Sequence, residues 1–237
     1  MAQDNTNMDL TTMTPESVRV LRSVMHARKT EKVLVEHGQG QELTLAKLEQ
    51  YRAIIAALLI DAGMAPFHYY RGVDSIAEPW RAHAMMQPET RRLAALLRDD
   101  LGIRSKEPKL LEGCGAVILI TWLPEAELKS DTLDASSQKV RKRDEEHLAA
   151  TAAMVQNLLL LLTAHGFGNY WSSGGVLGRE EAFERLSIPE EERLMAAIFI
   201  AFPELNDQPS EKKYGSQRDK RSDQWIRWPI TDSFATS

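Results

Sequence analysis

A long apolar helix followed by glycine turns constrains the fold of this chain more than any other feature. Residues 149–162 are apolar nearly all round, and the helix that contains them is predicted to start within 135–144. A helix without a polar face is normally buried at the centre of a domain or at an interface. Gly166 ends this helix, and apolar runs predict a short strand at 169–172 and a buried strand at 194–202.

The rest of the chain alternates helices with few strands. Thr14-Pro15-Glu16 supplies an N-cap, a proline and an early carboxylate, which predict a helix with one apolar face that ends near 28–32. Residues 123–140 are polar and are predicted to form a surface loop or lid. The other predicted elements are a helix from the Thr44 cap to Gly63, a strand at 80–86, a helix at 88–101, a strand at 116–122 and a helix at 180–186. This alternation indicates an α+β fold.

A single domain at 14–237, preceded by a mobile arm at 1–13, suits a chain of 237 residues. Residues 204–237 are predicted to form a C-terminal arm. The aromatic and aliphatic side chains of this arm are too dense to be left in solvent, so its own domain or a partner subunit must cover them. They are Trp225, Ile226, Trp228 and Ile230.

Composition excludes several classes of partner. The net charge is −5, so the chain lacks the surplus of Lys and Arg that binding to nucleic-acid phosphates requires. The single cysteine, Cys114, fits a reducing compartment, and its place before an apolar run favours a buried thiol over a nucleophile. The first residues lack the pattern of a signal peptide, and the apolar run 158–162 is too short for a bilayer. A cytoplasmic location without a membrane partner is therefore expected.

The sequence lacks the patterns of most catalytic sites, which leaves an anion site as the remaining candidate. The six histidines lie far apart, and no G-x-S-x-G, G-x-G-x-x-G or P-loop pattern occurs. We therefore predict neither a metal site nor a catalytic dyad. Two basic clusters from opposite ends of the chain could bind one phosphate, although each alone is more often a solvated face. They are Arg28, Lys29 and Lys32, and Arg218, Lys220 and Arg221.

Residues 147–203 contain the long helix, an aromatic strand and a Gly-Gly loop in an order that resembles the C-terminal half of the nitroreductase family. The resemblance extends over roughly 15–221. It implies a central, mostly antiparallel sheet surrounded by helices, with an extended C-terminal arm that packs on a partner subunit. It also implies an FMN-dependent homodimer with two flavins at the interface.

Two basic segments resemble the parts of the family that hold the FMN phosphate and ribityl chain. Residues 28–32, RKTEK, resemble the R-x-S-x-R/K element, with Thr30 in place of the usual Ser. The contacts that this element implies are Arg28, Lys29, Thr30 and Lys32. Residues 218–221 resemble the basic C-terminal element that completes the phosphate site, with implied contacts from Arg218, Lys220 and Arg221.

Two further segments resemble the parts of the family that face the flavin ring. Residues 106–109 resemble the stretch that offers an Asn and a Lys to the pyrimidine edge, here Lys106 and Lys109; the alternative is a pair of exposed loop lysines. Residues 172–175, SSGG, resemble the W-x-G-G loop, in which a backbone N–H faces flavin N5; the alternative is a plain turn. Its implied contacts are Ser173, Gly174 and Gly175.

The loop after the second helix resembles the family least. Residues 62–66 and 78–80 are similar to the A-x-x-A-P-S-x-x-N-x-Q-P-W segment, which the neighbouring subunit places over the flavin. Here several residues are inserted, Phe67 replaces Ser, and Glu78 replaces Gln. The implied flavin contacts are Pro66, Phe67 and His68, and the implied substrate pocket is lined by Tyr69, Tyr70 and Arg71.

The resemblance implies a ping-pong oxidoreductase. NAD(P)H would pass electrons through flavin N5 to a small nitroaromatic, quinone or flavin-like acceptor, and the cofactor would carry the chemistry without a catalytic side chain. Two alternatives stay open: a specialised branch of the family, such as a reductive dehalogenase or flavin-consuming enzyme, and a flavin-binding protein without turnover.

Overall fold

A computed structural model describes residues 14–125 and 135–228 of the chain. The helices are α1 (Pro15–Ala27), α2 (Leu45–Ala62), α3 (Glu89–Ala95), α4 (Glu107–Gly113), α5 (Ala135–Ala164) and α6 (Glu180–Leu186). The strands are β1 (Glu31–Leu34), β2 (Trp80–Met86), β3 (Ala116–Trp122), β4 (Gly168–Ser172), β5 (Arg193–Ala201) and β6 (Glu211–Tyr214). The predicted arm at 1–13, residues 126–134 of the predicted lid and the last residues of the C-terminal arm lie outside the described residues.

The central sheet has four antiparallel strands in the order β2-β3-β5-β4. Residues 116–121 of β3 are buried throughout, because helices cover both faces of the sheet. Strands β1 and β6 form a second, two-stranded antiparallel sheet. A parallel bridge between Thr30 and Asn169 joins the start of β1 to β4 at the edge of the central sheet. The predicted α+β class with a mostly antiparallel central sheet is confirmed.

Helix α5 lies between α2 and the central sheet. Its apolar residues, including Val155, Leu158 and Leu162, belong to the larger core cluster together with residues of β3 and β5. The predicted burial of the long apolar helix is therefore confirmed. Residues 138–164 of this helix are long and apolar enough to cross a bilayer, judged by length and composition alone. The prediction from the sequence rested only on the shorter apolar run at 158–162 and did not include this. The core contacts account for that composition without a membrane.

The opposite face of the sheet is covered by α3, α4 and α6, which form a second core cluster. Cys114 lies in this cluster directly after α4 and is 2% exposed. Burial raises the pKa of its thiol to about 12, so the thiolate that a nucleophile requires does not form near neutral pH. The prediction of a buried thiol is confirmed.

Several local predictions were wrong or incomplete. Strands β1 and β6 were missed, since each has only four residues, carries charges and is held mainly by a partner far away in the sequence. Residues 107–113 form α4, where only a loop was predicted for 106–109. α5 begins at Ala135, the earliest start predicted for the long helix, so the predicted loop at 123–140 does not extend over 135–140. The predicted helix at 88–101 is α3 followed by a π-helical turn at Leu96–Asp100.

Tyr51 connects α2 to the segment that follows β5. Its ring stacks on Phe202 at 3.9 Å between centroids and meets the edge of Phe167 at 5.4 Å. Its hydroxyl donates a hydrogen bond to Glu204, which also pairs with Lys47 at 2.8 Å. Burial and the Glu204 carboxylate together raise the pKa of Tyr51 to about 12. The phenol therefore remains a neutral donor at physiological pH.

We expect Tyr51→Phe to lower the free energy of unfolding by about 1–2 kcal/mol, because it removes a hydrogen bond to a charged group and keeps the ring contacts. Urea denaturation at pH 7 measures this loss. Tyr70→Phe is the matched control, since Tyr70 is 67% exposed, and its effect should stay within about 0.5 kcal/mol. Equal stability of the two variants would contradict the expectation.

Candidate functional site

The basic segment at 28–32 lies where α1 ends and β1 begins. Arg28 caps the C-terminus of α1, and Thr30 forms the bridge to Asn169 of β4. Because β1 pairs with β6, the C-terminal part of the chain runs beside this segment, with Lys32 opposite Lys213. The Lys29 ammonium lies 4.6 Å from the ring centroid of Tyr214. The structure therefore brings the N-terminal cations next to the start of the C-terminal arm.

Two lysines from distant parts of the sequence meet at Tyr170 of β4. The Lys106 ammonium, at the N-cap of α4, donates to the Tyr170 hydroxyl at 3.3 Å. The Lys32 ammonium lies 4.8 Å from the centroid of the same ring, on β1. Within the part of the chain that the structure describes, neither ammonium forms an ion pair. Both ammonium groups are therefore available to an anionic or electron-rich ligand. We call Lys32, Lys106 and Tyr170 the lysine–tyrosine cluster.

Tyr170 is held firmly beneath the two lysines. Its ring stacks on Phe199 of β5 at 5.9 Å between centroids and belongs to the second core cluster. Burial by itself raises the pKa of Tyr170, but hydrogen bonds from Ser172 and Lys106 and the charges of Lys106 and Lys32 outweigh it and lower the pKa below its usual value. The phenol oxygen is therefore in a strongly positive environment.

A glycine loop follows directly after β4. The backbone N–H of Gly174 donates to the Ser172 hydroxyl oxygen at 3.2 Å. Gly174 and Gly175 have φ angles of +92° and +55°, a region that other residues rarely adopt. A Cβ atom at Gly174 would lie 2.2 Å from Leu194 Cδ2, and one at Gly175 would lie 2.8 Å from Glu107 Oε1. The positive φ angles make glycine the favoured residue at both positions. The loop continues directly from the strand that carries Tyr170, with Ser173 and Gly175 exposed.

Lys109 does not join the lysine–tyrosine cluster. Its ammonium forms an ion pair with Glu36 Oε1 at 2.5 Å, and its carbonyl accepts a hydrogen bond from the N–H of Val35 at 3.1 Å. These contacts attach α4 to the end of β1. Lys109 therefore positions the helix that carries Lys106, and its predicted contact with a flavin stays a prediction.

The loop at 66–71 packs against the start of α5. Phe67 meets the edge of Trp80 at 5.6 Å, and His68 Nδ1 lies 3.4 Å from Glu146. Arg71 donates to the carbonyls of Leu123 and Pro124 at 3.1 and 2.8 Å. A surface cavity of about 340 Å³ lies here, lined by Pro66, Phe67, His68, Glu146, Ala149, Ala150 and Ala153. None of these contacts involves the lysine–tyrosine cluster of the same chain.

The exposed tyrosines of this loop have different surroundings. Tyr69 has the guanidinium of Arg143 at 5.2 Å from its centroid and His147 edge-on at 6.4 Å. Tyr70 is exposed. Their assignment to a substrate pocket, together with Arg71, stays a prediction.

The C-terminal basic residues lie on the surface. Lys220 and Arg221 are exposed, at the end of a short 3-10 turn that follows β6. The side chain of Arg218 lies outside the described residues. Convergence of these cations with Arg28 on one phosphate therefore stays a prediction.

Tyr170 and Ser172 are the site residues that sequence reasoning missed. The sequence did contain a pattern that could have identified them. Residues two apart in a strand point to the same face, and Tyr170 and Ser172 are two apart just before the glycine loop. The aromatic character of the strand suggested packing instead. Only the contact with Lys106, 64 residues away, identifies the phenol as part of a polar cluster.

We expect Gly175→Ala to lower the free energy of unfolding by about 1–3 kcal/mol, because alanine must adopt a positive φ beside the Glu107 carboxylate. Urea denaturation measures the loss. Gly178→Ala is the matched control, since Gly178 lacks a positive φ and its Cβ would lie 3.2 Å from one flexible leucine methyl. An equal loss of stability in both variants would show that the positive φ at Gly175 does not disfavour alanine.

Comparisons with known proteins agree with this architecture. No protein-family model matches the chain. The Bacillus subtilis protein named NAD(P)H nitroreductase YfhC is 35% identical over 80 residues, which is 34% of this chain and 40% of that protein. The match therefore spans less than half of that relative.

Solved structures share the fold over most of their length. The nitroreductase-like family protein from Bacillus cereus has a TM-score of 0.53 at 19% identity, covering 89% of this chain and 96% of that one. A protein from Desulfovibrio desulfuricans, described as a nitroreductase in complex with FMN, has a TM-score of 0.50 at 15% identity, covering 92% and 99%. The chain therefore has the fold of these nitroreductase structures, and 80 of its residues are similar in sequence to a protein named as a nitroreductase.

Proposed function

We propose that this protein is an FMN-dependent oxidoreductase that passes electrons from NAD(P)H to a small acceptor. The observation that carries the proposal is the meeting of two unpaired ammonium groups at Tyr170, beside a loop in which two glycines have positive φ. A flavin ring needs positive charge near its pyrimidine edge and close backbone approach near N5. The FMN bound to the Desulfovibrio desulfuricans relative and the name of the Bacillus subtilis relative support the same conclusion.

The residues of the site fit FMN in chemical type. Arg28 and Thr30 would hold the phosphate and ribityl chain, since a guanidinium and a hydroxyl donate well to phosphate oxygens. Lys32 and Lys106 would lie at the pyrimidine edge. Gly174 and Gly175 keep clear the space that a Cβ would otherwise occupy. Neither lysine has a carboxylate ion pair among the described residues, so both ammonium groups could contact the flavin.

Bound FMN would supply the two-electron chemistry at N5. The residues of the chain would bind it, orient it and set its electrostatic environment, so that no side-chain nucleophile or acid–base pair is needed. Lys32 and Lys106 would balance the negative charge that arrives with the electrons. A ping-pong order, in which the donor leaves before the acceptor binds the same face, is part of the proposal.

The acceptor is proposed to be a small nitroaromatic, quinone or flavin-like molecule. The loop at 66–71 offers aromatic rings of suitable size. Arg71 already donates to two carbonyls, so it ties the loop to residues 123–124 and has less capacity to attract an acidic substrate. A general reductase would accept several such molecules, whereas the specialised alternatives would accept few.

Uptake of FMN and its reduction test the proposal directly. The purified protein should be yellow or take up added FMN, and anaerobic NADH or NADPH should bleach the flavin absorbance. A colourless protein that takes up no FMN contradicts the cofactor assignment. A bound flavin that stays oxidised favours the alternative of a flavin-binding protein without turnover.

Lys32→Met should weaken FMN binding about tenfold, as expected for loss of one charged contact at a half-exposed position. Titration of the apoprotein with FMN measures the dissociation constant. Lys47→Met is the matched control, because Lys47 also lies over a tyrosine ring, that of Tyr51, but in the other core cluster. Equal affinity of both variants would remove Lys32 from the site.

We also propose that two copies of the chain form a homodimer. No residue of α1 is buried, and its apolar residues Val18, Val20, Leu21 and Met25 are 52–55% exposed. Ile60 and Met64 near the end of α2 and Trp225 and Trp228 in the C-terminal arm are also exposed. Exposed apolar surface of this extent is typical of an interface between subunits.

Leu21→Glu should convert the dimer to a monomer, since it places a charge on the apolar face of α1. Size-exclusion chromatography with light scattering measures the mass, and circular dichroism checks that the fold is kept. Ser23→Glu adds the same charge on the opposite side of α1 and should leave the mass unchanged. A wild-type protein that is monomeric at micromolar concentration would contradict the proposal.

A further inference from the structure

We propose that Tyr170 is a positioning residue for the cofactor: its hydroxyl holds the Lys106 ammonium beside that of Lys32, and this raises the preference of the site for reduced over oxidised FMN. The inference rests on the proposed function and deepens it. Nothing in the proposed flavin chemistry by itself requires a tyrosine at this position.

The hydrogen bond at 3.3 Å is the first argument. Lys106 is exposed at the N-cap of α4, and its side chain has four rotatable carbon–carbon bonds. An exposed lysine without a partner loses about 2 kcal/mol of rotamer entropy when it is fixed in one conformation. The Tyr170 hydroxyl is the only hydrogen-bond partner of this ammonium among the described residues. It therefore provides the fixed point from which Lys106 can face a ligand.

The rigidity of Tyr170 is the second argument. Its ring is 7% exposed and stacks on Phe199, so the position of its oxygen is determined by the sheet. Ser172 lies two residues further along β4, and its hydroxyl accepts the N–H of Gly174. Strand β4 thus carries both the phenol that holds Lys106 and the start of the glycine loop, which are the two parts of the site that would contact the flavin ring.

The electrostatic consequence follows from these two contacts. The lysine–tyrosine cluster contains two ammonium groups and no carboxylate ion pair within the described residues, so its field favours a ligand with added negative charge. Oxidised FMN has a neutral ring, whereas two-electron reduction adds negative charge at the pyrimidine edge. Ordered ammonium groups therefore stabilise the reduced form more than the oxidised form. Loss of the Tyr170 hydroxyl would leave Lys106 free to rotate into solvent.

The decisive measurement is the midpoint potential of bound FMN in wild type and Tyr170→Phe. The substitution keeps the ring that stacks on Phe199 and removes only the hydroxyl. We expect oxidised FMN to bind Tyr170→Phe within about threefold of the wild type. The midpoint potential should fall by about 30 mV, which is a tenfold loss of preference for the reduced form in a two-electron couple. A spectroelectrochemical titration of the full-length protein measures the potential, and a flavin titration measures the affinity.

A double-mutant cycle tests whether Tyr170 acts through Lys106. Lys106→Met alone should lower the potential at least as far as Tyr170→Phe, and the double variant should lower it no further than Lys106→Met. Tyr51→Phe is the control, because it also removes a buried phenol's hydrogen bond to a charged group but lies in the other core cluster. Its potential should equal that of the wild type.

The outcomes separate this inference from the proposed function. An unchanged potential in Tyr170→Phe, or additive shifts in the double variant, would overturn the positioning role while leaving FMN binding intact. A wild-type protein that takes up no FMN would overturn both. If the midpoint potential of FMN falls equally in Tyr51→Phe and Tyr170→Phe, the effect comes from general destabilisation. That result would overturn the role of Tyr170.

Discussion

The burial of α5 between α2 and the central sheet is the constraint on which the rest of the structure depends. Leu158 and Leu162 contribute to a core that includes β3 and β5, so one face of the sheet is closed by this helix. The other face is closed by α3, α4 and α6, which is why β3 is apolar on both sides. With both faces of the sheet covered, the candidate site lies at its β4 edge, where the glycine loop and the short β1–β6 sheet adjoin it.

The site is assembled at that edge by long-range contacts. The bridge between Thr30 and Asn169 brings β1 to β4, and the contacts of Lys109 with Glu36 and Val35 bring α4 to β1. Lys32 and Lys106 reach Tyr170 as a consequence. Two ammonium groups without ion pairs lie there beside a glycine loop, which is the combination on which the proposed function rests.

This arrangement also explains why a search for catalytic side chains finds none. In a flavoprotein the cofactor carries the reactive atom, and the protein contributes position and field. A site composed of cations, a phenol and glycines is therefore consistent with the proposed function. The segment that resembles the nitroreductase family least, the loop at 66–71, packs on α5 away from the lysine–tyrosine cluster of its own chain.

The sequence by itself determined the helices α1, α2, α5 and α6, the strands β2 to β5 and the glycine loop, because periodicity, caps and turn residues act over a few positions. Residues 147–203 also indicated the resemblance to the nitroreductase family. Only the tertiary structure decided that Lys106 contacts Tyr170 while Lys109 pairs with Glu36, and that the apolar face of α1 stays exposed. The physical reason is the sequence distance over which each interaction acts. Local patterns specify a helix or strand, whereas strand pairing and helix packing decide which charges from distant parts of the sequence meet. For the same reason β1 and β6 were missed, since neither four-residue strand carries a strong local signal and each is defined by its partner.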